Sequence, residues 1–185
     1  MLILLSGPIG SGKTTLCQGT AAEVRKGGMP VAGVLTPAVI RGGVKVGIQA
    51  VDLGSGEVRL LARTDRDLGG TRIGRYTFDD RTLDWMRSVC EVALAGGALA
   101  FVDEIGRLEL DRGSGLASLI PLLSLPRDGS TVVVVRDTLL DVLAARTMQA
   151  GPRVVRLDAS RREDARKEMR ALLLPGSGSC CTQAR

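Results

Sequence analysis

Residues Gly7 to Thr14 combine glycines, a lysine and a threonine at a spacing suited to holding phosphate groups. They read G-P-I-G-S-G-K-T, which is the pattern G-x-x-x-x-G-K-T. Gly7, Gly10 and Gly12 can adopt backbone angles closed to other residues, so consecutive N–H groups can turn inward around an anion. Lys13 supplies a positive charge for the outer phosphates. The Thr14 hydroxyl is the expected direct ligand of a Mg²⁺ ion.

A second group of reactive side chains lies about 90 residues further along the chain, where the apolar run Ala98–Val102 is followed by Asp103 and Glu104. An apolar strand that ends in Asp-Glu is the Walker B pattern, which is weak alone and becomes specific behind a phosphate loop. Asp103 is expected to hold Mg²⁺ beside Thr14. Glu104 is expected to orient and polarise the attacking water as a general base.

Two arginines that follow predicted buried strands are further candidates. The run Asp103–Gly106 also fits D-x-x-G, by which GTPases bring a glycine N–H to the γ-phosphate, but no N-K-x-D motif follows, which argues against a dedicated GTPase. Arg107 could stabilise charge on the transferred phosphoryl group, or it could be an ordinary surface arginine. Arg136 follows another buried strand and could sense phosphate or form a structural salt bridge.

These patterns predict a specific set of site residues. The residues predicted to contact the nucleotide lie in the phosphate loop, in the segment after the second strand and at one later strand end: Gly7, Pro8, Ile9, Gly10, Ser11, Gly12, Lys13, Thr14, Thr15, Asp103, Glu104, Ile105, Gly106, Arg107 and Arg136. The predicted catalytic residues are Lys13, Glu104 and Arg107. The predicted ligands of Mg²⁺ are Thr14 and Asp103.

Buried strands and amphipathic helices must position these side chains. Apolar runs at 2–5, 31–36, 98–102, 131–135 and 153–157 predict strands, and helical spacing predicts helices over 13–26, 81–95, 114–125 and 139–148. Ser160 and Glu163 form a capping-box pattern that opens a final helix to about Leu174. The fold class is α/β, a three-layer P-loop domain with a mostly parallel sheet. We expect the Val132–Val135 strand to lie between the Leu2–Leu5 and Leu99–Val102 strands.

Residues 36–62 interrupt this alternation with a predicted antiparallel β-meander. Gly42-Gly43 between β-prone residues is a hairpin signal, and Gly54-Ser55-Gly56 turns the chain again. The meander is interpreted as an extension of the sheet edge, and the alternative is a flap near the nucleotide. The polar residues 63–72 are expected to form a mobile loop, followed by one short strand over Ile73–Asp79.

Composition limits the class of protein. The chain has 185 residues, 44% hydrophobic residues and 2% aromatic residues, which predicts one domain over 1–174 with an aliphatic core, followed by a disordered tail over 175–185. No signal peptide and no long apolar run is evident, so a cytoplasmic protein without membrane contact is expected. The sequence has no histidine and no C-x-x-C pair, which argues against a zinc site or a histidine-based triad.

The net charge and the four cysteines limit which ligands and modifications are expected for this protein. The net charge is +5, but the basic residues are scattered and the four aromatic residues form no stacking platform, so nucleoside triphosphates are favoured over nucleic acid as the anionic partner. Cys17 and Cys90 fall on predicted apolar helix faces and are expected in the core. Cys180 and Cys181 could be redox-active or lipidated, and the simpler interpretation is neither. A monomer is expected.

Several longer strings carry a resemblance to a known family. They are GPIGSGKTTL at 7–16, GVLTPAVIRGGVKVGIQAVDL at 33–53, IGRYTFD at 73–79 and FVDEIGRLEL at 101–110. Together they resemble the small nucleoside-triphosphatase family that includes thermophile enzymes and the human cancer-related NTPase. One departure is that Pro37-Ala38 stand where this family commonly has an acidic residue or pair after G-x-x-T.

The resemblance implies an activity. It implies Mg²⁺-dependent hydrolysis of NTP to NDP and phosphate, with ATP, GTP and other triphosphates as substrates and loose base selectivity. Residues Gly7–Thr14 and Asp103–Arg107 match the two nucleotide-contacting segments of the family. Two alternatives remain from the residues alone: a nucleotide or small-molecule kinase, and a nucleotide-dependent switch or accessory protein akin to the P-loop adaptor of molybdenum-cofactor biosynthesis.

Overall fold

Short apolar runs bounded by glycine or polar residues form the strands of this protein, and amphipathic stretches form its helices. The structure, a computed structural model, describes residues 1–174. The strands are β1 Leu2–Gly7, β2 Val31–Leu35, β3 Ala38–Arg41, β4 Val44–Asp52, β5 Val58–Arg63, β6 Arg72–Ile73, β7 Tyr76–Phe78, β8 Leu99–Ile105, β9 Thr131–Arg136 and β10 Arg153–Arg156. The α-helices are α1 Lys13–Lys26, α2 Asp80–Ala95, α3 Arg107–Leu110, α4 Leu119–Leu122, α5 Leu140–Arg146 and α6 Arg162–Leu173. The interpretations placed on the 175–185 tail, including Cys180 and Cys181, lie outside the described residues.

All ten strands belong to one mixed sheet in the order β10-β1-β9-β8-β2-β4-β5-β7-β6, with β3 paired to β4. The strands from β10 to β2 are parallel, and the pairs from β2–β4 outward are antiparallel. Strand β9 pairs with β1 on one side and β8 on the other, so the predicted position of the Val132–Val135 strand is confirmed. The carboxyl ends of β1, β8 and β9 therefore meet at one edge of the sheet.

Helices cover both faces of the parallel part. Alternate residues of β1 point to opposite faces, so Ile3 and Leu5 pack with α1 and α6, while Leu2 and Leu4 pack with α2 and α5. The buried side chains of both clusters are mostly aliphatic, and Phe101 is the aromatic residue among them. The three-layer α/β P-loop architecture is confirmed.

The β-meander joins the sheet through β4, which pairs with both β2 and β3. Strand β4 pairs with β2 through its last residues and with β3 through its first residues. Strands β2 and β3 thus follow one line along β4, interrupted at Thr36-Pro37. The hairpin β3–β4 turns through Gly42 and Gly43, which both have positive φ, as a two-residue hairpin loop requires. The meander extends the sheet, and its β3–β4 hairpin continues beyond the carboxyl end of β2.

Two predicted elements are wrong in detail. The segment Ile73–Asp79 is not one strand, because the chain reverses at Gly74, whose φ is +57°, and forms the small hairpin β6–β7. The predicted helix over residues 114–125 is reduced to α4, which has four residues, because turns rather than α-helix occupy the rest of that segment. The short helix α3 directly after β8 was not predicted.

The predicted capping box of the last helix is also wrong. Helix α6 begins at Arg162 and has no side-chain hydrogen bond at its N-cap. The Ser160 hydroxyl instead donates to Asp158 Oδ1 at 2.7 Å, and this carboxylate oxygen also accepts the N–H groups of Ser160 and Arg161. Asp158, which sequence reasoning did not consider, therefore organises the turn into α6.

Hydropathy along the helices bears on membrane association. None of the helices within residues 1–174 combines the length and the apolar character that crossing a bilayer requires.

Candidate active site

The phosphate loop joins β1 to α1 and has the backbone angles that its glycines were expected to supply. Gly10 and Gly12 have φ values of +80° and +97°, in the left-handed region that favours glycine. Gly7 is required for a different reason: a Cβ there would lie 2.0 Å from the carbonyl oxygen of Leu157, at the end of β10. Any larger residue at position 7 would push the loop away from β10.

Lys13 is buried, and its ammonium group is turned onto the loop itself. Nζ donates to the carbonyl oxygens of Gly7 at 2.7 Å and Pro8 at 2.8 Å. Burial lowers the pKa of Lys13, and the negative charges of Glu104 and Asp103 oppose that shift. The ammonium group thus lies in the concavity of the loop, within electrostatic reach of both carboxylates.

Asp103 connects three segments that are distant in the sequence. Its Oδ2 accepts a hydrogen bond from Thr14 Oγ1 at 2.8 Å and another from the Thr36 N–H at 3.0 Å. The side chain is almost fully buried, and burial raises the pKa of this carboxyl group despite those two donors. The first turn of α1, the end of β2 and the end of β8 therefore converge on one carboxylate.

Glu104 lies at a register shift in β8. Asp103 pairs with Val134 and Ile105 with Val135, so Glu104 has no partner of its own in the ladder. Its Oε1 accepts a hydrogen bond from Arg136 Nε at 2.8 Å. Both side chains remain partly exposed, at 31% for Glu104 and 39% for Arg136. The bulge thus places the Glu104 carboxylate at the carboxyl edge of the sheet, where the Arg136 guanidinium orients it.

The segment after Glu104 is held by a residue that sequence reasoning did not single out. The buried Glu109 carboxylate accepts the Gly106 N–H at 2.8 Å and the Leu116 N–H at 3.2 Å. The Gly106 N–H expected to contact a γ-phosphate is therefore engaged by the protein in this structure. The spacing Gly106-x-x-Glu109 is a capping-box spacing, which was the signal available in the sequence. Arg107, between them, is exposed at the first turn of α3.

The other predicted contact residues differ in accessibility. Ile9 is 77% exposed at the tip of the loop, and Thr15 is exposed on α1. Ile105 is fully buried, so only its backbone faces the edge of the sheet. The Ser11 hydroxyl is buried without a hydrogen-bond partner among the described residues. The structure therefore brings Lys13, Thr14, Asp103, Glu104 and Arg136 together, while the Ile105 side chain belongs to the core.

Arg162 is a further residue at the loop that sequence reasoning missed. Its Nη2 donates to the Ser11 carbonyl oxygen at 3.5 Å, across a sequence separation of 151 residues. No local pattern could have indicated this contact, because it depends on the packing of α6 beside α1.

The donor set at Thr14 and Asp103 suits magnesium. Mg²⁺ prefers hard oxygen ligands and commonly takes one or two from the protein and the rest from phosphates and water. The Thr14 hydroxyl and the Asp103 carboxylate supply two such oxygens, which lie 2.8 Å apart. Within residues 1–174 no group of three or more His, Cys, Asp or Glu side chains could hold a metal ion unaided. The remaining ligands of a bound Mg²⁺ would be phosphate oxygens and water.

This geometry defines a P-loop protein of the α/β class, and comparison with known proteins specifies the family. The family model described as NTPase matches residues 2–169. The chain therefore belongs to the NTPase family.

Curated relatives match over part of their length. The nucleoside-triphosphatase THEP1 of Caldivirga maquilingensis is 31% identical over 114 residues, which are 62% of this chain and 64% of that protein. The cancer-related nucleoside-triphosphatase homolog of Bos taurus is 30% identical over 132 residues, 67% of this chain and 70% of that protein. The chain thus spans slightly under two thirds of the archaeal relative.

Solved structures agree with the fold over nearly the whole chain. The crystal structure of THEP1 from the hyperthermophile Aquifex aeolicus superposes with a TM-score of 0.72 at 18% identity, covering 94% of this chain and 99% of that one. The solution structure of a human cancer-related nucleoside triphosphatase gives a TM-score of 0.69 at 25% identity, covering 92% and 95%. The chain therefore shares its overall fold with these two proteins.

Proposed function

We propose that this protein is a Mg²⁺-dependent nucleoside-triphosphatase that hydrolyses NTP to NDP and phosphate. The observation that carries the proposal is the hydrogen bond between Thr14 Oγ1 and Asp103 Oδ2 at 2.8 Å. This contact joins the phosphate loop to the end of β8, and so places Lys13 and Glu104 at the same edge of the sheet. The names of the relatives support the same activity.

The loop binds the triphosphate. Its inward N–H groups and the N-terminus of α1 hold the phosphate oxygens. Lys13 leaves the carbonyl oxygens of Gly7 and Pro8 and turns its ammonium group to the outer phosphates. Before the nucleotide binds, the contacts with these two carbonyl oxygens hold the ammonium group inside the loop.

Glu104 acts on water. Its carboxylate accepts a proton from the water molecule as the oxygen attacks the γ-phosphorus, and the bond from that phosphorus to the β–γ bridging oxygen breaks to release NDP. Arg136 orients the carboxylate through the hydrogen bond to Oε1. Arg107, exposed at the start of α3, is proposed to stabilise charge on the γ-phosphate as a cation.

Magnesium would be held by Thr14 and Asp103 together with phosphate oxygens. When bound, Mg²⁺ neutralises charge on the β- and γ-phosphates. Base selectivity is proposed to be loose, as the resemblance to the family implies, and the chain has no guanine-reading N-K-x-D motif that would favour GTP.

The test is phosphate release from ATP, GTP, CTP and UTP, with and without Mg²⁺, by wild type and by Glu104→Gln. We expect Mg²⁺-dependent release from all four by wild type, and loss of at least about a hundredfold in kcat in the variant, which still binds nucleotide. Lys13→Ala is expected to lose both binding and turnover. Asp84→Asn, on the exposed side of α2, is a matched control for loss of one carboxylate.

Other outcomes would redirect the assignment. Tight binding without release from any triphosphate would contradict hydrolysis, and phosphate transfer to an added nucleoside or nucleotide would then identify a kinase. Full turnover in Glu104→Gln would remove Glu104 as the general base while leaving the hydrolase assignment intact.

A further inference from the structure

The turn between β10 and α6 is fixed against the phosphate loop. Leu157 N–H donates to the Ser6 carbonyl oxygen at 2.7 Å, and the Leu157 carbonyl occupies the space that a Cβ at Gly7 would need. The Asp158 carboxylate then organises the next residues through its bonds to Ser160 and Arg161. These hydrogen bonds fix the position of Arg162 directly beside the phosphate loop.

The Arg162 side chain reaches the outer surface of the loop and remains available to a ligand. Its Nη2 lies 3.5 Å from the Ser11 carbonyl oxygen, a long contact at an exposed position. A Cβ on Gly12 would lie 3.9 Å from the same nitrogen. Arg162 is exposed, and one weak hydrogen bond leaves most of its guanidinium donors available to a ligand.

The strand order determines which end of a nucleotide meets Arg162. Glu104, proposed to activate the water that attacks the γ-phosphorus, and Arg136, which orients Glu104, stand at the ends of β8 and β9 on one side of β1. Strand β10, which leads to Arg162, lies on the other side of β1. A triphosphate whose γ end is at Glu104 therefore has its nucleoside end directed toward the β10–α6 turn.

We propose that Arg162 is a positioning residue for the nucleoside, whose guanidinium stacks on the face of the base. This inference rests on the proposed nucleotide-hydrolysing function and adds to it the subsite for the base. Every nucleobase has a π face, and a planar guanidinium can stack on any of them. Such a contact supplies affinity without reading the base edge, which accounts for loose base selectivity in a chain without a base-reading motif.

The experiment measures KM and kcat for ATP, GTP, CTP and UTP in wild type, Arg162→Ala, Arg162→Lys and Arg166→Ala. Arg166 stands one turn further along α6 and pairs with Glu23 at 2.9 Å, so its variant removes the same charge from the same helix. Inorganic tripolyphosphate serves as a competitor that has the phosphates and lacks the nucleoside.

We expect Arg162→Ala to raise KM for all four triphosphates by roughly tenfold while kcat stays close to the wild-type value. The inhibition constant of tripolyphosphate should not change. Arg162→Lys should behave as the alanine variant does, because an ammonium group keeps the charge and loses the plane. Arg166→Ala should retain the wild-type KM.

Three results would overturn the proposal. An unchanged KM in Arg162→Ala shows that the side chain does not meet the nucleotide. Equal weakening of tripolyphosphate, or rescue by lysine, shows that it meets a phosphate instead of the base. Calorimetric binding of β,γ-imido triphosphates to the same variants separates this outcome from failure of the hydrolase assignment, because binding can be measured whether or not phosphate is released.

Discussion

Glu104 and Arg136 form an ion pair between the ends of adjacent strands, with 2.8 Å separating Oε1 from Nε. Both side chains are partly exposed, and exposed pairs of this kind contribute only about 0–1 kcal/mol to stability. The pair therefore contributes little to the stability of the fold. Its main effect is to orient Glu104, because one guanidinium nitrogen of Arg136 holds one oxygen of the carboxylate that is proposed to polarise water.

Arg136→Gln should therefore impair turnover more than folding. We expect kcat to fall by roughly ten- to a hundredfold, since a misdirected catalytic group of this kind costs rate without loss of substrate binding. Steady-state kinetics and thermal unfolding of the same preparations check this. Arg136→Lys should recover part of kcat. A variant with wild-type kcat would show that Glu104 does not need this partner.

Gly33 in β2 should tolerate no side chain. Its φ is +91°, and a Cβ there would lie 2.1 Å from the Phe101 carbonyl oxygen of the neighbouring strand. Gly33→Ala combines backbone strain with a clash against backbone, so we expect a loss of about 2–5 kcal/mol in the free energy of unfolding. Urea unfolding followed by circular dichroism measures it.

The control for that substitution is Gly19→Ala. Gly19 lies within α1, has no atom within 4 Å of an added Cβ, and has an ordinary φ. Alanine there should stabilise the protein by about 0.5–1 kcal/mol, because glycine is the poorer helix former. If both substitutions changed stability by similar amounts, the close approach of β2 to Phe101 would not be the cause.

The sequence allowed accurate prediction where a signal is local. The apolar runs flanked by glycine marked β1, β8 and β9, and the phosphate-loop spacing placed Lys13 and Thr14 at the start of a helix. The burial of Cys17 and Cys90 followed from helical periodicity. In each case neighbouring residues alone determine which face is apolar or which backbone angle is required.

Prediction failed where long-range packing decides. The contact between Arg162 and Ser11 depends on α6 lying beside α1. The pairing of Glu104 with Arg136 depends on a register shift between β8 and β9, and no residue type in the sequence indicates that shift. The capping-box pattern at Ser160 was misleading for a different, local reason: Asp158, two residues earlier, accepts the Ser160 N–H that Glu163 would accept in a capping box, and it also accepts the Ser160 hydroxyl.

The two cysteines of the described region should be unreactive in the folded protein. Cys17 and Cys90 are fully buried. Burial raises the pKa of the Cys90 thiol to about 12, and it also raises the pKa of the Cys17 thiol. A Cys180→Ser, Cys181→Ser double variant should release no colour with a chromogenic disulfide until urea is added. Both thiols should then react. Rapid reaction before denaturation would show that the core opens locally around α1 or α2.

Glu109 should make the stability of this protein depend on pH. Burial raises the pKa of its carboxyl group above the usual range, although the Gly106 and Leu116 N–H groups oppose that shift. The folded state therefore holds its proton to higher pH than the unfolded state does. By linkage, this group's contribution to stability is complete below the usual carboxyl pKa and is lost as pH rises through the raised value.

Glu109→Gln isolates the pH-dependent part of that contribution, because glutamine has nearly the same shape and cannot ionise; its single acceptor oxygen can hold one of the two N–H groups, which is a loss that does not vary with pH. We expect the free energy of unfolding of wild type, relative to the variant, to decrease as pH rises from the usual carboxyl pKa through the raised one. Urea unfolding of both proteins across this range measures the difference, in which all other titrating groups cancel. Glu168→Gln, on the exposed side of α6, controls for loss of one negative charge. A relative stability of wild type that rises with pH would mean that the two N–H donors outweigh burial, and that the ionised carboxylate is the form that holds Gly106 in place.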